Sequence, residues 1–157
     1  MVDAWLTTMS TNLEAVINPL AAACEDGFVP DELHVLENPG VTDQFDDITS
    51  MMERVVIKYG GDAPELSATR LDEETDFQRI VEHFREPISR LHDDGGTAAV
   101  DVTPGRKFMS AIAFQAGMQF EADHVYYLYI SNNRFYGRLY PDVPRPVTEF
   151  IDFTEVF

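Results

Sequence analysis

The fold of this chain can be read outward from Val100-Asp101-Val102-Thr103-Pro104-Gly105-Arg106-Lys107-Phe108-Met109-Ser110. Thr97–Val102 is a short, mostly apolar run leading into it. Met109, Ile112, Ala113, Ala116 and Phe120 recur after it at helical spacing. Between the two lies a tight turn, Thr103 to Lys107. Pro104 fixes its own φ there, and Gly105 can take positive φ or let a ligand approach the backbone. The stretch therefore reads as buried strand, turn, helix N-terminus. Unpaired N–H groups and the positive dipole end at such a place suit an anion. Thr103, Arg106 and Lys107 add a hydroxyl and two cations. Most glycine-containing turns are only turns, so scarcity gives this one its weight. The chain has 28 acidic residues against 11 basic ones, a formal net charge of -17, and its only lysines are Lys58 and Lys107. Lys58 ends a predicted helix, where a cation suits the dipole. Lys107 begins one, where it does not.

With 157 residues, 45% of them hydrophobic, the chain is long enough for one domain, 1–157, with a sizeable core. Its acidity is spread along the sequence and repels DNA, RNA and anionic lipid at long range, so no duplex nucleic-acid binding is expected. That charge resembles the proteins of salt-loving archaea, a matter of habitat more than of function. Any anionic ligand must then be held by a short-range, preorganised site. Cys24 is the only cysteine, which excludes an internal disulfide and a cysteine zinc site; it falls on an apolar helix face. No apolar run reaches about 18 residues, and no basic-then-apolar leader opens the chain, so the expectation is a cytoplasmic protein without a membrane span.

The remaining elements follow in order. Ala4–Met9 reads as the first strand, and Ser10, Thr11 and Asn12 are good N-cap types. Leu13, Val16, Ile17, Leu20 and Cys24 mark a helix, with Pro19 a candidate kink. Glu32–Glu37 is a second strand; Phe45, Ile48, Met52, Val55, Val56 and Tyr59 mark a second helix. Glu65–Leu71 is the third strand. Asp76 caps a third helix carrying Phe77, Ile80, Val81, Phe84, Ile88 and Leu91, which Pro87 is expected to kink or divide. The fourth helix follows the turn to about Glu121. His124–Ser131, dense in aromatic and β-branched residues, is the fifth strand. Asn132-Asn133 reads as a two-residue hairpin turn with Arg134–Tyr140 returning, and Thr148–Phe153 as a last edge strand.

This alternation is α/β: a Rossmann-like three-layer sandwich with a mainly parallel sheet of about six strands and a C-terminal antiparallel hairpin. Right-handed crossovers give the order 3-2-1-4-5-6. Ligands of such sheets bind at the carboxyl ends of the strands where the order reverses, between strands one and four. The loops there are Met9–Asn12 and Thr103–Lys107. Neither carries a GxGxxG fingerprint, and no G-x-x-x-x-G-K-[ST] loop exists. His34, His83, His92 and His124 are scattered; His83 and His92 share helix three without a third ligand, so neither metal nor cofactor is expected. Asp101 reads as a structural acceptor for turn N–H groups or as an orienter for Lys107, the structural role carrying more weight. Tyr126, Tyr127 and Tyr129 read as core or sheet surface before stacking platforms.

Taken together, the Ser/Thr-Asn turn after strand one, Asp101-Val102-Thr103-Pro104-Gly105-Arg106-Lys107 after strand four, the small-residue helix, and Ala122-Asp123-His124-Val125-Tyr126-Tyr127-Leu128 resemble the CARF domain (CRISPR-associated Rossmann fold). The Asp-x-Thr-x-Gly-x-Lys turn is the most specific part, and the resemblance spans at least Ala4 to Tyr140. It implies a homodimer that binds cyclic oligoadenylate, the second messenger of type III CRISPR defence, across its two-fold axis. It implies Ser10 or Thr11 and Lys107 as the ligand-contacting pair, and with the two switch-point turns the candidate contacts are Ser10, Thr11, Asn12, Thr103, Pro104, Gly105, Arg106 and Lys107. If the ring is cleaved, Lys107 and Ser10 are the residues implied, in a metal-independent ring nuclease. Family turns often carry two glycines; Pro104 replaces one and stiffens this one. The alternatives are a regulatory module or fragment of a larger effector without catalysis of its own, and an α/β domain for another nucleotide.

Overall fold

The computed structural model describes all residues, Met1–Phe157. The elements are β1 (Asp3–Thr8), α1 (Leu13–Glu25), β2 (Glu32–Glu37), α2 (Phe45–Lys58), β3 (Glu65–Arg70), α3 (Phe77–Asp94), β4 (Thr97–Asp101), α4 (Lys107–Gln119), β5 (His124–Ile130) and β6 (Thr148–Asp152). They form a six-stranded sheet in the order β3-β2-β1-β4-β5-β6. All neighbours pair in parallel except β5 and β6, which are antiparallel.

Period-two alternation sorts the strand residues onto two faces. Ala4 and Leu6 of β1, Ala98 and Val100 of β4, and Val125 of β5 join the core beneath α3 and α4. Trp5, Ala99 and Tyr126 join the core beneath α1 and α2. Helical spacing supplies the matching stripes: Ile80, Phe84, Ile88 and Leu91 from α3, and Ile48, Met52 and Val56 from α2. The three layers follow from those two apolar faces. β3, nearly all exposed, lies at one edge of the sheet.

Two expectations are corrected, the division of α3 and the hairpin return. Pro87 does not divide α3, which runs unbroken over 18 residues. Pro87 lies on the buried stripe with Ile80, Phe84, Ile88 and Leu91, and their packing outweighs one missing ladder bond. The return strand of the hairpin is not Arg134–Tyr140. The Asn132 side chain accepts the Arg134 N–H at 3.0 Å and opens a 3-10 turn over Asn133–Phe135 in place of a two-residue hairpin. The chain then crosses to α1. Asn18 Nδ2 donates to the Arg138 carbonyl at 2.7 Å, and Asn18 Oδ1 accepts from the Tyr140 N–H at 2.8 Å. Only at Thr148 does it rejoin the sheet, with Ile130 opposite Thr148 and Tyr126 opposite Asp152. The edge strand expected at Thr148–Phe153 is thus the antiparallel partner of β5.

Candidate functional site at the sheet switch point

The strand order reverses at β1 and β4, so the turns after these two strands flank one crevice. Side chains sew them together. Thr8 Oγ1 donates to the Pro104 carbonyl at 3.1 Å, and Ser110 Oγ, one turn into α4, donates to the same oxygen at 3.2 Å. Gly105 has φ +91, and a Cβ there would stand 2.6 Å from Thr8 Oγ1. The turn therefore needs glycine for its backbone and for its approach to β1.

Thr103 is pinned from both sides. Its N–H donates to Asp101 Oδ1 at 3.0 Å, and its hydroxyl accepts the Leu128 N–H at 3.1 Å. The β4–β5 register ends at Asp101 opposite Tyr126, so this hydroxyl extends the ladder where the main chain turns away. Asp101, fully buried, also accepts from Thr7 Oγ1 at 3.0 Å. It is the structural acceptor expected, and it does not pair with Lys107.

Beneath the two turns the structure adds a residue that sequence reading left unassigned. His83 of α3 is buried, with Nε2 3.0 Å from the Thr7 carbonyl and Nδ1 2.9 Å from Thr69 Oγ1. A carbonyl only accepts, so Nε2 carries the proton and Nδ1 receives the threonine hydroxyl. A polar chain thus runs from β3 through His83, Thr7 and Asp101 to Thr103 and β5. Burial pushes His83 down to about 4 and Asp101 up to about 7, in each case against the pull of its hydrogen bonds. The signal was present: 80, 83, 84, 87, 88 and 91 are one helical stripe, which puts His83 inside.

The open side of the crevice holds the groups left free. Lys107 is the first residue of α4, exposed, with no ion pair or hydrogen bond. Arg106 is committed elsewhere: Nη1 lies 3.0 Å from Glu74, and the guanidinium stands 5.8 Å from the Phe108 ring centroid. Ser10 is half-buried and its Oγ accepts the Asn12 N–H at 3.1 Å. Asn12 occupies the N-cap of α1 without a side-chain capping bond. Thr11 and Asn12 are both exposed and spend no side-chain bond within the chain. Pro104 is buried with its carbonyl turned inward, so it shapes the turn from within.

Beside Thr103 opens a cleft of about 230 Å³ that sequence reading did not foresee, since it depends on the crossing segment. Glu14 and Asn18 of α1 line one side, Tyr129 and Tyr136 the other. These tyrosines are 45% and 63% exposed, so flat apolar surface is offered next to the switch point. No cluster of three or more histidine, cysteine or acidic side chains is placed to hold a metal ion. No helix is long and apolar enough to cross a membrane.

No protein-family model matches the chain, and no curated protein matches it in sequence. Solved structures do match in fold. Can2 from Sulfobacillus thermosulfidooxidans, in complex with cyclic tetra-adenylate, aligns with TM-score 0.59 at 15% identity over 80% of this chain and 31% of its own. A type III CRISPR defence DNA nuclease activated by cyclic oligoadenylate aligns with TM-score 0.59 at 15% identity, over 82% of this chain and 19% of its own. Enterococcus italicus Csm6, bound to cyclic hexa-2'-fluoro-hexa-dAMP, aligns with TM-score 0.58 at 10% identity, over 85% of this chain and 34% of its own. The chain therefore spans between a fifth and a third of the length of these neighbours, and shares with them this Rossmann-like fold.

Proposed function

We propose that this chain is a CARF-like sensor unit that binds cyclic oligoadenylate as a homodimer, each copy giving one half-site at its switch point. The observation that carries the reading is the pair of switch-point turns sewn together by Thr8 and Pro104 with Lys107 left unpaired at their mouth. A preorganised turn plus a free cation is what a phosphate needs on a surface of net charge -17. Of the three fold neighbours, one binds cyclic tetra-adenylate, one is activated by cyclic oligoadenylate and one binds a cyclic hexanucleotide analogue, which agrees with the Asp-x-Thr-x-Gly-x-Lys resemblance. A ring with two-fold symmetry asks for matched contacts from two copies of one site.

In this reading Lys107 meets a phosphate, and Ser10, Thr11 and Asn12 orient the ribose-phosphate from the β1 side. Arg106, tied to Glu74, shapes the rim. Cleavage would need no protein nucleophile. A ribose 2′-hydroxyl attacks its own phosphorus, the 5′-oxygen leaves, and the protein holds the in-line geometry while Lys107 offsets the growing charge. A sensor without cleavage would use the same groups.

The test is metal-free titration and incubation with cyclic tetra- and hexa-adenylate, comparing the parent, Lys107→Ala and the control Arg85→Ala. Arg85 pairs with Glu82 on an exposed face of α3. A charge-assisted contact is worth on the order of 1.5–3 kcal/mol, so Lys107→Ala should bind roughly tenfold to a hundredfold more weakly with an unchanged melting temperature. If Lys107 acts mainly in the transition state, turnover falls and affinity holds. Identical behaviour of the two variants would refute the site.

A further inference from the structure

A second cleft, of about 540 Å³, lies away from the switch point between α1, α2 and residues 139–141. Helical spacing builds it. Met51, Arg54, Val55 and Lys58 recur at i, i+3, i+4 and i+7 and share one face of α2. Ile17 and Ala21, one turn apart on α1 and each 4% exposed, form the floor. The small side chain of Ala21 keeps that floor low. Leu139, Tyr140 and Pro141 close the far side.

Two independent features point to a ligand. The first is charge. The lining includes Arg54 and Lys58 and no acidic residue, in a chain with 28 acids and 11 cations. Neither cation belongs to any ion pair. Glu25, the acid bonded to Tyr140, is already taken: Arg145 Nε lies 2.9 Å from it and the Tyr140 hydroxyl donates to it at 2.8 Å. The second is a wall held rigid from behind and aromatic at its rim. Tyr140 is 4% exposed, and the Arg145 guanidinium stands 3.6 Å from its ring centroid. Tyr59, 37% exposed, adds a second ring. The volume falls within the roughly 300–1,000 Å³ of small-molecule sites, and apolar walls with a few placed polar groups are their usual make-up.

We propose that this cleft binds a small aromatic monoanion, its ring between Val55, Tyr59 and Leu139 above the Ile17–Ala21 floor and its acidic head between Arg54 and Lys58. A neutral apolar guest would leave both cations unmet. A polyanion would find only these two cations here and no preorganised turn to hold its further charges.

The probe is 8-anilinonaphthalene-1-sulfonate, with N-phenyl-1-naphthylamine as its neutral counterpart, on the folded protein at fixed salt. The sulfonate should bind saturably at one site per chain, and at least tenfold tighter than the neutral probe. Arg54→Gln with Lys58→Gln should lower sulfonate affinity about tenfold or more and leave the neutral probe unchanged. Ala21→Trp should abolish both; both altered cations are exposed, so the charge variant keeps the test alive if the filled cleft fails to fold. Cyclic tetra-adenylate should not compete. No saturable binding, equal affinity for the two probes, or indifference to the charge variant would each overturn the proposal. A change in light-scattering mass in either variant would overturn it too, by showing that a second copy of the chain covers the cleft.

Discussion

At the scale of single residues, the crevice rests on a proton balance. His83 and Asp101 are joined through Thr7, whose carbonyl accepts from the imidazole and whose hydroxyl donates to the carboxylate. Their shifts act in opposite senses on stability. His83 is held at about 4 against an ordinary 6.5, so between those values the unfolded chain binds more protons, and stability rises with pH. Asp101 is held at about 7 against an ordinary 3.8, so from about 4 to 7 the folded chain binds more protons, and stability falls with pH. Each slope approaches roughly 1.4 kcal/mol per pH unit, and across the shared window the two oppose each other. Asp101→Asn keeps an acceptor for the Thr103 N–H, while Thr7 Oγ1 can turn to the Thr8 carbonyl at 3.2 Å. The variant should gain a rise in unfolding free energy from pH 4.5 to 6.5 that the parent lacks, read by urea denaturation. A parent and variant with parallel pH profiles would mean that the two groups do not compensate. Much of this site was legible in the sequence: the turn, its glycine, Lys107 and the bracing role of Asp101. The pairing of Arg106 with Glu74 was not, because the two residues meet only through the fold, 32 positions apart.

At the scale of elements, α4 is held to the sheet by closeness more than by apolar bulk. Gly117 lies on its buried face, and a Cβ there would stand 2.8 Å from Val125 Cγ2 and 3.4 Å from Val100 Cβ. Both valines are fully buried on β5 and β4, with neighbours on every side. Alanine at an exposed helix position would gain about 1 kcal/mol in propensity over glycine. Overpacking costs about 1–3 kcal/mol, and here the clash is with a γ-methyl of Val125, a β-branched strand residue whose χ1 is stiff. Gly117→Ala should therefore lower the urea midpoint despite the better helix former. An unchanged or higher midpoint would show that α4 can slide outward, and Lys107 would then ride on a looser support than the packing indicates. The same logic explains which elements sequence could give. Strands and helices with strong periodicity match their expected spans to within a residue or two, because local pattern and burial agree. Residues 133–147 escaped because Arg134–Tyr140 alternates like a strand, while Asn132 caps a turn and Asn18, 120 residues before Arg138, pulls the segment onto α1. That tie is nonlocal and leaves no periodic mark.

At the scale of the whole molecule, charge bears on the conditions under which the fold, and the proposed dimer, would hold. Only Glu25, Glu32, Glu74 and Glu82 of the 28 acidic residues pair with an arginine, which leaves the net charge of -17 spread over the surface. Compaction brings these charges together, and dimerisation would bring together two such bodies. Screening shortens the reach of that repulsion from about 30 Å at 0.01 M salt to about 10 Å at 0.1 M and 3 Å at 1 M. Melting temperature should rise with salt, steeply at first, and light scattering should show mass shifting from monomer towards dimer over the same range. Preferential exclusion of salt from apolar surface also stabilises folded chains, so the anion must be varied. Screening depends on ionic strength and acts mostly below about 0.3 M, where chloride and sulfate matched for ionic strength should superimpose. Exclusion favours sulfate and keeps growing past 1 M. Melting curves that ignore salt below about 0.3 M and separate by anion above it would show that surface repulsion is not what limits this protein. Superimposed curves that climb early would mean that the scattered acids set its working conditions, and that the anion site proposed at Lys107 would fill only where the field around it has been screened.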